Sequence, residues 1–139
     1  MHKKKIGNLG ELKVAAYLSE LGYSIFKELG DSSKIDLIAE KQGKLLRIQV
    51  KAVTIKNGVY SITSTKSGPG YKYFYKKEDI DVFAIYCIQH NSVAWINSHE
   101  MNNGASINLR VDKTKNNQTK KVSLLNNYLN FNRVNTFAV

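Results

Sequence analysis

The chain has 139 residues, 42% hydrophobic and 23% charged, which fits a single domain over residues 1–139 with one hydrophobic core. Lysine and arginine number 21 against 11 acidic residues, and a formal charge of +10 favours a polyanionic partner, nucleic acid ahead of a membrane surface. One cysteine, no apolar run of bilayer-spanning length and no apolar stretch behind the basic N-terminus exclude an intrachain disulfide, a cysteine-built zinc site and a membrane-spanning helix, and predict a cytoplasmic protein.

Lys3-Lys4-Lys5 reads as a short basic arm. From about Gly7 to Leu21 the spacing predicts a helix, with Glu11, Val14, Ala15, Leu18 and Leu21 on one face and Gly22 where it stops. Tyr23–Phe26 reads as a short strand and Gly30–Ser33 as a turn. Ile35–Glu40 and Leu45–Val53 read as strands joined across Lys41–Lys44, a hairpin. Val59–Thr63 is a further strand after the Lys56-Asn57-Gly58 turn. Ser64–Lys77, holding the only proline, Pro69, reads as a loop rich in lysine, glycine and tyrosine. Val82–Ile88 and Ser92–Asn97 form a second hairpin, with Cys87 a small buried hydrophobe in its first strand. Ala105–Val111 reads as a strand, Lys113–Lys121 as a polar, basic loop, and Ser123–Leu129 as a short helix. The order predicts a mixed α/β domain whose strands form a largely antiparallel meander.

Chemistry concentrates between Gly7 and Val53. On the helix, Glu11 lines up with Val14, Ala15 and Leu18 at offsets of three, four and seven, so a carboxylate shares the face that otherwise looks toward a core. A charge there is costly unless it is paired or holds a metal. An acid at the edge of the stripe, in the first helical turn, is the alternative and needs no ligand. On the hairpin, Leu46, Ile48, Val50 and Ala52 form an apolar row and Arg47, Gln49 and Lys51 the opposite polar row. Ile35, Leu37 and Ala39 share a face of the preceding strand, so Asp36 points the other way. Pairing the apolar rows brings Asp36 to the side that carries Gln49 and Lys51. Two oxygen-bearing groups with a lysine beside them suit phosphodiester hydrolysis around a hard cation such as Mg²⁺. The lysine would orient the attacking water and stabilise developing negative charge.

Ile35-Asp36, then Gln49-Val50-Lys51, behind a helix carrying Glu11, resembles the PD-(D/E)XK nuclease superfamily. The resemblance implies a restriction-endonuclease-like α/β fold, a central mixed β-sheet flanked by helices. It implies that Asp36 is a metal ligand, Lys51 the catalytic lysine, and Glu11 the helix carboxylate that completes the site. Ile35 replaces the usual proline, and Gln49 replaces the usual acid, which removes one negative charge and either weakens metal affinity or marks an inactive site. Glutamine at this place, with Gly7–Glu11, Arg47–Lys51 and Glu78–Phe83, is similar to the small homing endonucleases encoded in bacterial group I introns. The implied function is a metal-dependent, site-specific endonuclease on double-stranded DNA. Its catalytic residues would be Glu11, Asp36, Gln49 and Lys51, with Mg²⁺, or Mn²⁺ in its place, held by Asp36, Gln49 and Glu11. One active site per protomer implies a homodimer or homotetramer for cutting both strands. Archaeal-type Holliday junction resolvases share the arrangement but carry glutamate in place of Gln49. A non-catalytic DNA-binding module on the same scaffold is a third reading, which Gln49 keeps open.

Candidates for DNA contact are Lys5, Ser33, Lys34, Lys56, Tyr71, Lys72, Tyr73, Lys76 and Lys77. Tyr71–Lys77 interleaves aromatics with lysines, which suits a phosphate-gripping loop or aromatics packed on a sheet beneath solvated lysines. Ser33 and Lys34 immediately precede the Asp36 strand, next to where a scissile phosphate would sit. His2, His90 and His99 show no metal-ligand spacing.

Overall fold

A computed structural model of the protein describes residues 2–30, 32–74, 78–101, 106–112 and 123–134. The lysines near the N-terminus are not an arm: helix α1 runs Lys3–Glu20, and the His2 imidazole caps it by accepting from the Lys4 amide at 3.3 Å. Lysine is a good helix former, and a capped start lets the helix extend through the basic run. At the other end, Gly22 takes φ +91°, its amide bonds to the Ser19 carbonyl and the Tyr23 amide to that of Leu18. This paired closure needs a left-handed residue, so the glycine stop lies where the spacing predicts. The buried row is Gly10, Val14 and Leu18, with Glu11 and Ala15 on its flank, while Leu21 stands 41% exposed outside the core.

Strands β1 (Ser24–Phe26), β2 (Leu37–Lys41), β3 (Lys44–Val53), β7 (Val82–Cys87) and β8 (Ser92–Asn97) form the main sheet in the order β1-β2-β3-β7-β8. The central pair β3–β7 is parallel and the others antiparallel, so the sheet is mixed as expected but is not a meander. Between β3 and β7 the chain makes an excursion through β4 (Val59–Thr63), β5 (Thr65–Gly68) and β6 (Tyr71–Phe74) before returning. β5 and β6 pair as a hairpin where the sequence reads as a loop. Pro69 followed by Gly70 at φ +78° supplies its tight turn.

Every residue of β7 is buried, because both faces of the sheet are covered. On one face, Leu46, Ile48, Val50, Val82 and Ala84 pack with Val14 and Leu18 of α1 and with Trp95 and Phe131. On the other, Phe83, Ile85, Ala94 and Ile96 pack with Tyr60, Ile62 and Leu109. The second cover is a three-stranded sheet of β10 (Ser123–Leu124), β9 (Ser106–Arg110) and β4. Among the described residues α1 is the one α-helix, and Ser123–Leu129, expected to be helical, is β10 followed by the single 3-10 turn Leu125–Tyr128. A segment this short cannot offset the cost of nucleating a helix.

α1 rests almost directly on β3 and β7. A Cβ at Gly10 would meet the Ala52 Cβ at 3.3 Å and the Val50 Cγ1 and Tyr86 Cβ at 3.5 Å. A side chain there would require the Ala52 methyl or the helix to give by a few tenths of an ångström.

Two arginine–carboxylate forks tie the ends of the sheet. Arg47 donates through Nε and Nη2 to Asp81 at 3.1 and 3.0 Å, and its amide donates to the same carboxylate at 2.8 Å. Arg133 donates to both oxygens of Glu100 at 2.8 Å and to the Trp95 carbonyl at 2.6 Å. Burial raises both carboxyls, but the hydrogen bonds and charge of the arginines, joined at Glu100 by the Asn97 amide, together outweigh it and hold Asp81 and Glu100 below their ordinary values. Folded values below the unfolded ones mean that this stabilisation is whole above about pH 4.5 and is lost as pH falls through the folded values. The urea midpoint should therefore fall between about pH 6 and about pH 3. Arg133→Met should show a shallower fall than wild type, and an equal slope would show that the Glu100 fork does not contribute.

Candidate active site

The β2–β3 register sets Leu37 against Ile48 and Ala39 against Leu46, the expected pairing of apolar rows. Asp36 lies just ahead of β2. Its amide donates to the Ile48 carbonyl at 2.9 Å, and its Oδ2 accepts from the Val50 amide at 2.8 Å. The carboxylate thus replaces a main-chain acceptor at the mouth of the hairpin, which is why regular strand structure starts at Leu37 rather than Ile35. The predicted alternation also breaks there. The Ile35 amide donates to the Ser33 hydroxyl at 3.0 Å, and the Ile35 side chain packs against the core on the β4–β9 side, away from Leu37 and Ala39. An Asp36 anion accepting a main-chain N–H is held by a charge-assisted bond, beside the backbone that links Gln49 to Lys51.

Gln49 is 8% exposed, and its Nε2 donates to the Val50 carbonyl at 3.3 Å. With the nitrogen end so engaged, the amide oxygen is the end suited to a cation. Lys51 lies opposite Ile85 of β7, and its ammonium donates to the Thr65 carbonyl at the start of β5 at 3.0 Å.

Glu11 is in the interior of α1, not in its first turn, because the helix begins at Lys3. Its side chain is 24% exposed and its Oε1 lies 2.9 Å from the Lys27 ammonium. That hydrogen bond, the Glu11 charge and, more weakly, the Asp36 charge raise the Lys27 pKa against a small opposing effect of burial. Glu11 lines a hollow of about 560 Å³ with Asn8, Leu12, Ala15, Ile25, Lys27 and Leu37. Asp36 lines an adjoining one of about 380 Å³ with Lys27, Leu37, Ser33, Glu28 and their neighbours. Lys27 and Leu37 are common to both. Neither hollow is lined by Gln49 or Lys51, which adjoin Asp36 along β3 instead. Lys27 is the residue that sequence reasoning misses: one lysine among many carries no mark, and its place depends on β1 pairing with β2.

Among the described residues no three His, Cys, Asp or Glu side chains group as a metal site of those types.

Of the candidate DNA contacts, Ser33 lines the hollow of Asp36. Its amide donates to Glu28 at 3.0 Å, and Ser32 donates to the same carboxylate at 2.9 Å. These two bonds hold the Glu28 carboxyl below its usual range and shape the loop ahead of β2. Lys34 pairs with Asp79 at 3.1 Å. Lys5 is exposed on α1, Lys56 at the turn before β4, and Tyr71 and Lys72 on β6. Tyr73 belongs to the β6 backbone. Lys76, Lys77 and the basic Lys113–Lys121 loop lie outside the described residues.

A family model described as PD-(D/E)XK endonuclease matches residues 1–131. The chain belongs to that family. Protein 5.3 of Escherichia phage T7 is 30% identical over 80 residues, which span 57% of this chain and 68% of that protein. The structure of the bacterial homing endonuclease I-Ssp6803I is similar at a TM-score of 0.73, covering 87% of this chain and 86% of its own. At 18% identity that likeness shows the fold: a restriction-endonuclease-like mixed sheet with its helix.

Proposed function

We propose that this member of the family is a divalent-metal-dependent endonuclease that cuts double-stranded DNA at specific sites, in the manner of a homing endonuclease. The observation that carries the reading is the Asp36 carboxylate fixed on the Val50 amide, between Gln49 and Lys51 on a rigid central strand. Asp36, Glu11 and the Gln49 oxygen would hold Mg²⁺, with Mn²⁺ able to replace it. A bound ion of this kind acidifies water and neutralises phosphate charge. Lys51 supplies an ammonium that orients the water and meets the charge developing on the phosphate. The +10 charge of the chain supports a DNA partner, with Ser33 and the lysines near the site as backbone contacts. One site per protomer supports a homodimer or homotetramer, since each strand of a duplex needs its own cut. No helix among the described residues is long and apolar enough to cross a membrane, and the phage relative supports a prokaryotic or phage setting.

The test is cleavage of a duplex DNA library with Mg²⁺, with Mn²⁺ and with chelator, beside a four-way junction of matched sequence. Discrete cuts in linear duplex that need the metal are expected. No cleavage with either ion would leave a non-catalytic DNA-binding module, and a strong preference for the junction would make the protein a resolvase.

A further inference from the structure

We propose that Lys27 is the resident counter-cation of the candidate metal site, and that a divalent ion must displace its ammonium from Glu11 in order to bind. This rests on the metal-site reading above and adds a residue that the family motif does not contain.

The Lys27 ammonium lies 2.9 Å from Glu11 Oε1, a position that a metal bound by that carboxylate would contest. Lys27 also lines the hollow of Asp36 as well as that of Glu11, so its charge faces both acids of the site. Gln49 stands where the family motif has an acid, so these two carboxylates carry the negative charge of the donor set, and one ammonium offsets half of it. A cation left in place would repel an incoming divalent ion.

The two partners differ in how firmly they are held. Glu11 projects from a helix seated directly on the sheet through Gly10, and its side chain is 24% exposed. Lys27 follows the last residue of β1, and its side chain is 63% exposed on a long flexible stem. Exposed ion pairs are weak and easily broken. The lysine is therefore the partner that moves. Other charged groups nearby are engaged elsewhere: Glu28 with Ser32 and Ser33, and Lys34 with Asp79. In the metal-free chain Lys27 keeps two carboxylates compatible with one another, and it raises the metal concentration at which the site fills.

The experiment measures Mn²⁺ binding to the full chain without DNA, by calorimetry and by the paramagnetic resonance of free Mn²⁺. Lys27→Met and Lys27→Gln should each bind Mn²⁺ roughly fivefold more tightly than wild type. Lys27→Arg, whose fork grips a carboxylate harder, should bind it no better than wild type. Lys44→Met, at the exposed first residue of β3, controls for the loss of one positive charge and should change little. If wild type binds Mn²⁺ and the two neutral Lys27 variants bind equally or less well, the displacement proposal falls and the metal site stands. If none of the proteins binds Mn²⁺, both fall.

Discussion

Lys51→Ala should lower the single-turnover rate of duplex cleavage with Mg²⁺ by roughly 10²–10³-fold, with the fold retained and the urea midpoint only moderately lowered. Lys51 is carried by β3, the longest strand among the described residues, which pairs on both sides, with β2 and β7. Its ammonium is thus aimed by a rigid element, which is what stabilisation of charge in a transition state requires. In the resting chain it donates to the Thr65 carbonyl at 3.0 Å. Loss of a hydrogen bond from a charged donor costs about 1.5–3 kcal/mol, so a protein that stays folded but cleaves slowly is expected. Lys51→Arg keeps the charge but spreads it over a planar fork, and should recover only part of the rate. A Lys51→Ala rate within about threefold of wild type would remove this side chain from the chemistry.

Asp36 is predicted to carry two roles that two substitutions separate. Asp36→Asn keeps an oxygen that can accept from the Val50 amide but loses the charge. Asp36→Ala loses both, leaving an amide of a buried residue without its 2.8 Å acceptor. Both should lose at least about 100-fold in cleavage rate, as expected when a metal ligand or a charged catalytic group is removed. Only Asp36→Ala should also lose substantial stability, about 1–3 kcal/mol by urea denaturation, the cost of an unsatisfied buried donor. An Asp36→Asn protein that cuts DNA at the wild-type rate would show that the negative charge is not needed, and with it that no cation depends on this residue.

The hairpin that carries Asp36, Gln49 and Lys51 is legible in the sequence because Leu46, Ile48 and Val50 alternate strictly with Arg47, Gln49 and Lys51. A slip of one residue would turn every apolar side chain to the wrong face, so the register has a single good solution. The direction of β7 is not legible for the opposite reason. Val82–Cys87 is buried on both sides, so it shows no alternation, and nothing local marks whether it runs parallel or antiparallel to a strand some thirty residues earlier. Glu11 is readable as the odd member of an apolar helical stripe, although that stripe centres on Gly10, Val14 and Leu18, one step round from where the spacing places it. The helix start is obscured because three consecutive lysines read equally well as an arm and as a first turn. The β5–β6 hairpin has its mark in Pro69-Gly70, where the residue pattern of a tight turn is hidden by a composition that reads as loop.

The bare backbone at Gly10 makes the sheet itself the spacer that sets how far Glu11 reaches. With α1 lying on Ala52, Val50 and Tyr86 and no side chain between, the helix cannot be tuned apart from the strand beneath it. A redesign of β3 to change what Gln49 or Lys51 contacts would tilt the platform and carry the helix acid along with it. The two halves of the proposed site are mechanically one part, and retargeting this scaffold is best attempted through the surface loops, with α1 and β3 kept as a matched pair.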